Sequence, residues 1–128
     1  MKVLVADDSA TIRRLLSARL GADGHQVIEA ADGKQAVESA LGEQPDLIVL
    51  DRQMPKMDGF EVCEELRSRP EMDGVVILML TAVTSEDAVL EGIERGVDEY
   101  MSKPFSPREL SARIRMLAAR RGAVATAA

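Results

Sequence analysis

Asp46-Leu47-Ile48-Val49-Leu50-Asp51-Arg52-Gln53-Met54-Pro55-Lys56-Met57-Asp58-Gly59 is the stretch whose reading decides the fold. Leu47 to Leu50 is an unbroken apolar run with β-branched members, the pattern of a strand covered on both faces. The run stops at a carboxylate, Asp51. In an open parallel sheet the carboxyl ends of the strands are where ligands bind, so Asp51 sits where chemistry is expected.

Working outward, Lys2 to Ala6 and Val75 to Leu80 give two more apolar strands, ending at Asp7-Asp8 and at Thr81. Gln26 to Ala30 alternates weakly, as an edge strand does, and Asp98 to Ser102 is a short fifth strand followed by Lys103-Pro104-Phe105. Helical spacing fills the intervals: Ile12, Leu15, Leu16 and Leu20; Ala36, Val37, Ala40 and Leu41; Phe60, Cys63 and Leu66, with Pro70 as the stop; Val89, Leu90 and Ile93; Leu110, Ile114 and Leu117. Ser106-Pro107-Arg108-Glu109 is a helix start, with Ser as N-cap, Pro first and Glu three after the cap. Five strands alternating with five helices predict βαβ units, right-handed crossovers and a doubly wound α/β fold around a parallel sheet.

The chain has 128 residues, 46% hydrophobic and 30% charged, which fits one folded domain and excludes a disordered or membrane-embedded chain. Its apolar runs are too short to span a bilayer and no leader pattern is present, so a cytoplasmic location is expected. Residues 1–121 read as the domain and the Ala-rich 122–128 as a flexible tail or the start of a linker. The single cysteine, Cys63, excludes an internal disulfide and reads as a small core hydrophobe. Net charge is −6, yet residues 101–128 carry six basic side chains against Glu109, leaving the first hundred residues at −11. That surface argues against direct nucleic-acid binding.

Four strands deliver polar residues to one rim: Asp7 and Asp8, Asp51, Thr81 and Lys103. Taken singly, these read as a helix cap, a turn hydroxyl and a solvated cation; their convergence is what points to chemistry. Three clustered carboxylates repel one another, and a hard divalent cation such as Mg²⁺ relieves the repulsion. Lys103 supplies a fixed positive charge and Thr81 a hydroxyl donor, the charge-stabilising parts that phosphoryl transfer needs. Asp51 is accordingly read as a carboxylate nucleophile that accepts a phosphoryl group.

Asp7-Asp8, Asp51 with Met54-Pro55-Lys56-Met57-Asp58-Gly59, Thr81-Ala82, Tyr100 and Lys103-Pro104-Phe105 together resemble the receiver domain of two-component response regulators, over residues 2–121. The resemblance implies the flavodoxin-like strand order 2-1-3-4-5. It implies that Asp51 takes phosphate from a histidine kinase or phosphotransfer protein, and that Asp7, Asp8, Asp51 and the backbone carbonyl of Gln53 serve Mg²⁺, for which Mn²⁺ substitutes. Lys103 would pair with Asp51 or its phosphate. Thr81 and Tyr100 would form a switch that alters the surface of the fourth helix, fifth strand and fifth helix toward a downstream effector. Arg113, Arg120 and Asp98 resemble residues of receivers that dimerise weakly through that face, although Glu91, near Glu109, breaks the charge pattern. Gln53 and Val83 occupy the two positions that modulate loss of phosphate in such domains; Gln53 has a polar group that could orient water and Val83 has none, so slow loss of phosphate is expected. Arg52 is not distinctive of the family and reads as a solvated side chain ahead of one that leans over the site and strengthens anion binding, and His25 reads as an exposed loop residue.

Three other readings compete. A magnesium-dependent phosphatase with an aspartyl nucleophile wants an acid two residues on, where this chain has Gln53. A flavodoxin wants a hydroxyl-rich loop where Asp7-Asp8 would repel phosphate. A receiver serving only as a passive docking domain would have no use for the complete rim.

Overall fold

The structure, a computed structural model, describes residues 1–82 and 85–127, with side chains through Arg120. Its elements are β1 (Lys2–Ala6), α1 (Ala10–Ala22), β2 (Gln26–Ala30), α2 (Gly33–Glu43), β3 (Leu47–Asp51), α3 (Gly59–Arg67), a 3₁₀ turn (Pro70–Met72), β4 (Val76–Thr81), α4 (Glu86–Glu94), β5 (Glu99–Ser102) and α5 (Pro107–Ala127). The five strands form one sheet in the order β2-β1-β3-β4-β5, every pairing parallel.

Strand alternation sorts the core into two layers. Leu4, Ala6, Ile48, Leu50, Ile77 and Met79 face α2 and α3, where Ala36, Ala40, Phe60, Cys63 and Leu66 are buried against them. Val3, Val5, Leu47, Val49, Leu78 and Leu80 face the other way, onto Leu16 and Leu20 of α1 and Leu110, Ile114 and Leu117 of α5. Every residue of β3 is buried, which is why its sequence shows no polar alternation. At about 1.5–3 kcal/mol for each large side chain fully buried, this central strand anchors the fold and fixes where its last residue, Asp51, must sit.

The helix starts follow their caps. Ser9, Asp32, Asp58 and Ser85 accept backbone N–H groups from three residues on. Asp58 and Glu61 complete a reciprocal capping box. Ser106 accepts the Glu109 N–H at 3.3 Å.

Several expectations are corrected. Leu15, Leu90 and Ile93 keep helical spacing but are exposed, and Gly92 is the sole buried residue of α4. Helix α3 ends at Arg67, capped by Ser68, and Pro70 opens the 3₁₀ turn that follows. Helix α5 continues to Ala127, past Arg121, in keeping with the helix propensity of its alanines. His25 is half-buried rather than exposed, with Nδ1 3.0 Å from the Met1 amine. Val83 lies outside the described residues.

Candidate functional site

Parallel strands in register bring their carboxyl ends to one edge. Ala6 pairs with Leu50, Asp51 with Leu80, and Thr81 with Ser102, so the residues at or just past these positions converge. Asp7 is fully buried one step beyond β1, held by its N–H on the Ala30 carbonyl. Its Oδ1 accepts the Ser9 N–H at 2.9 Å, and Arg13 donates to its backbone carbonyl at 2.7 Å. Asp51 and Thr81 are buried, whereas Asp8 is exposed. The Lys103 N–H donates to the Thr81 carbonyl at 2.9 Å, and the Lys103–Pro104 bond is cis.

The Lys103 ammonium lies 2.8 Å from Asp7 Oδ2 and 3.2 Å from Asp51 Oδ1. Asp51 Oδ1 also receives the Gln53 N–H at 3.4 Å. One carboxylate oxygen each from Asp7, Asp8 and Asp51 lies within 4.8 Å of the others. An open cleft of about 290 Å³ is lined by Asp8, Asp51, Arg52, Gln53, Thr81, Ala82 and Lys103, with Asp7 buried behind it. The sequence reading has Lys103 paired with Asp51 or its phosphate; the structure adds Asp7 as a second and shorter partner.

Glycine places the loop after β3. A Cβ on Gly59 would come within 2.6 Å of the Asp51 carbonyl oxygen, and its N–H donates to the Arg52 carbonyl at 2.7 Å. The chain therefore turns tightly under Asp51, leaving that carboxylate at the cleft floor. Lys56, at φ 70°, takes the left-handed step that closes the loop, and its ammonium reaches Asp32 at 3.4 Å.

Burial pushes the Asp51 carboxyl upward, the charge of Asp7 adds to this, and Lys103 offsets only part of it. Burial would lower Lys103, but its hydrogen bond to Asp7 and the charge of Asp51 outweigh this and raise it. The pair is thus an acid whose charge is only partly offset beside an amine held in its protonated form. The arrangement holds an oxygen nucleophile next to a fixed cation, in a cleft open to a donor.

Tyr100 is half-buried on β5, with its ring against α4: its hydroxyl donates to the Ala88 carbonyl at 3.4 Å and occupies the space a Gly92 side chain would need. We expect Gly92→Ala to turn the ring outward. Alanine's helix advantage of about 1 kcal/mol offsets the lost packing, so stability changes little. Tyr100 is the single tyrosine and the chain has no tryptophan, so intrinsic fluorescence reads this ring alone; acrylamide quenching should rise in the variant.

Several charged residues at the α4, β5 and α5 surface are paired within the chain. Asp98 accepts Arg67 at 2.6 Å and the Ile77 N–H at 2.8 Å. Arg113 bridges Glu99 and Glu109, Arg120 reaches Glu99 at 3.6 Å, and Glu91 holds Arg95 at 2.9 Å. Arg52 and Arg95 both lie over the Phe60 ring, 4.8 and 5.0 Å from its centroid, a contact between distant segments that no local sequence pattern signals.

Residues 3–115 match the family described as response regulator receiver domain, and the chain belongs to that family. It is a phospho-accepting signalling domain. The sequence is 50% identical over 114 residues to the probable transcriptional regulator ycf27 of Porphyridium aerugineum, covering 89% of this chain and 46% of that protein. It is 46% identical over 116 residues to the alkaline phosphatase synthesis transcriptional regulatory protein PhoP of Bacillus subtilis, covering 91% and 48%. Among solved structures, Vibrio cholerae chemotaxis protein CheY4 superposes with a TM-score of 0.86 at 37% identity, over 90% of this chain and 96% of that one. The BeF3-activated receiver domain of Klebsiella pneumoniae RstA gives 0.83 at 30% identity, over 91% and 97%. The chain spans about half the length of the curated relatives it matches. No helix among the described residues is long and apolar enough to cross a membrane.

Proposed function

We propose that Asp51 is the phosphoacceptor of this receiver domain, and that the chain promotes its own phosphorylation and dephosphorylation. The observation that carries the assignment is the Lys103 ammonium between Asp7 and Asp51, at the buried end of the central strand and open to the cleft. A carboxylate oxygen of Asp51 attacks phosphorus, the bond from phosphorus to the donor's nitrogen or oxygen breaks, and the leaving atom departs with the electron pair. Lys103 offsets charge on the entering phosphoryl group, and Thr81 offers its hydroxyl to a phosphoryl oxygen. Relatives named as transcriptional regulators and chemotaxis proteins favour a signalling acceptor over a phosphatase, and exposed Gln53 supplies no acid.

The donor set fits a hard cation: three carboxylates from two strand ends, all oxygen, with one of them facing solvent. Asp7, Asp8 and Asp51 would hold Mg²⁺ with the Gln53 carbonyl, and Mn²⁺ would substitute. When bound, the ion neutralises the phosphodonor that the acidic rim would otherwise repel. The donor is a histidine kinase or phosphotransfer protein in the cytoplasm. Phosphate adds roughly −1.5 to −2 charges at the rim, and Thr81 and Tyr100 pass this to the α4, β5 and α5 face, where an effector binds. A homodimer through that face would be weak, because Asp98, Arg113 and Arg120 would exchange intrachain pairs for interchain ones worth about 0–1 kcal/mol each.

Incubation with acetyl phosphate and Mg²⁺, followed by intact mass, tests the assignment. We expect the parent to gain one phosphoryl group and Asp51→Asn to gain none. Equal uptake by both would remove Asp51 from the role.

A further inference from the structure

Arg52 follows Asp51 directly and lines the same cleft. It is half-buried, and its guanidinium lies over the Phe60 ring, which Arg95 also contacts. The two arginines differ in their neutralisation. Arg95 is held by Glu64 at 2.8 Å and Glu91 at 2.9 Å. Arg52 makes no ion pair among the described residues and rests on the Phe60 ring, 4.8 Å from its centroid. A partly desolvated guanidinium on an aromatic face keeps its donors available, because the ring satisfies the charge but accepts none of its five N–H bonds. A cation–ring contact at a partly exposed site is a weak tether, so releasing Arg52 from Phe60 costs less than breaking a buried ion pair. Lys103, by contrast, is committed to two carboxylates before any donor arrives.

We propose that Arg52 is a second phosphate-binding residue of the acceptor site, which moves from the Phe60 ring to the phosphoryl oxygens of the incoming donor and selects for donors of higher negative charge. This rests on Asp51 being the acceptor. With acetyl phosphate, the new bond joins Asp51 Oδ to phosphorus, the bond from phosphorus to the acyl oxygen breaks, and acetate leaves with the electron pair. Arg52 stabilises the dianion by paired N–H donation and takes no proton. Its position beside Asp51, its idle charge and its weak tether together make it suited to this role.

The test compares initial phosphorylation rates of the parent, Arg52→Ala, Arg52→Lys and Phe60→Leu, using acetyl phosphate, a dianion, and phosphoramidate, which carries less net negative charge. Arg52→Ala should lose about tenfold in second-order rate with acetyl phosphate and only about two- to threefold with phosphoramidate. Its rate should also depend less steeply on ionic strength. Arg52→Lys should recover part of the loss, while Phe60→Leu, which removes the resting place but keeps the charge, should be at least as fast as the parent. A purely structural role would slow both donors equally and make Phe60→Leu as slow as Arg52→Ala; that result, or an Arg52→Ala rate equal to the parent's, overturns the proposal. A parent that takes up no phosphoryl group would instead overturn the reading of Asp51, and this one with it.

Discussion

Lys103→Met is expected to lower the stability of the metal-free chain at neutral pH by about 2–3 kcal/mol, or roughly 10 °C in Tm for a domain of this size. Lys103 holds fully buried Asp7 at 2.8 Å and buried Asp51 at 3.2 Å. Removing it leaves two carboxylates out of water, facing each other without a cation. Breaking a fully buried pair costs about 3–5 kcal/mol, and the smaller figure reflects an ammonium that remains a quarter exposed. The pH dependence has a definite sign. Because the folded-state pKa of Lys103 is raised, its stabilising contribution is complete below its ordinary 10.5 and is lost only as pH climbs through the raised value. At neutral pH the variant therefore shows the whole deficit. The deficit should shrink in acid, as Asp51 protonates. Thermal melts at several pH values check this, and an unchanged Tm at pH 7 would mean the ammonium is not bound where the structure places it.

Asp51→Asn should act in the opposite direction, raising metal-free stability at pH 7 by less than Lys103→Met lowers it. Burial and the charge of Asp7 raise the folded pKa of Asp51 above its ordinary 3.8. Between those values the native state binds more protons than the unfolded chain, so stability falls as pH rises. Relative to an unperturbed acid, the folded chain is favoured in acid and penalised above the raised pKa. Asparagine removes that penalty while Lys103 keeps Asp7. The advantage should vanish in acid, where the parent is protonated too. Mg²⁺ at about a hundred times its Kd should stabilise the parent by about 2.7 kcal/mol and the variant by much less, so the order of the two Tm values reverses. Combining Asp51→Asn with Lys103→Met should recover part of the loss from Lys103→Met alone, because the two residues are in contact.

How far these effects could be read from the sequence follows from which forces are local. The strands were legible because burial on both faces imposes an unbroken apolar run, as at Leu47 to Leu50 and Ile77 to Leu80. The rim followed from topology, since parallel strands send Asp7, Asp51 and Thr81 to one edge. Helix faces were less legible. Leu90 and Ile93 have the spacing of a buried stripe, but α4 meets the rest of the fold through Gly92 and Tyr100, and spacing alone does not say how deeply a helix docks. Side-chain partners between distant segments were least legible. Asp98 is held by Arg67 and by the Ile77 N–H, both far from it in sequence. The stacking of Arg52 and Arg95 on Phe60 likewise joins three elements that no local pattern links.

The most direct measurement is to phosphorylate the parent, reduce the acyl phosphate with borohydride and map the converted residue by peptide mass spectrometry. Conversion of Asp51 to homoserine, in a reaction that requires Mg²⁺, is the predicted result. Conversion at Asp7 or Asp8, or at no aspartate in a protein that has taken up phosphate, would contradict the account.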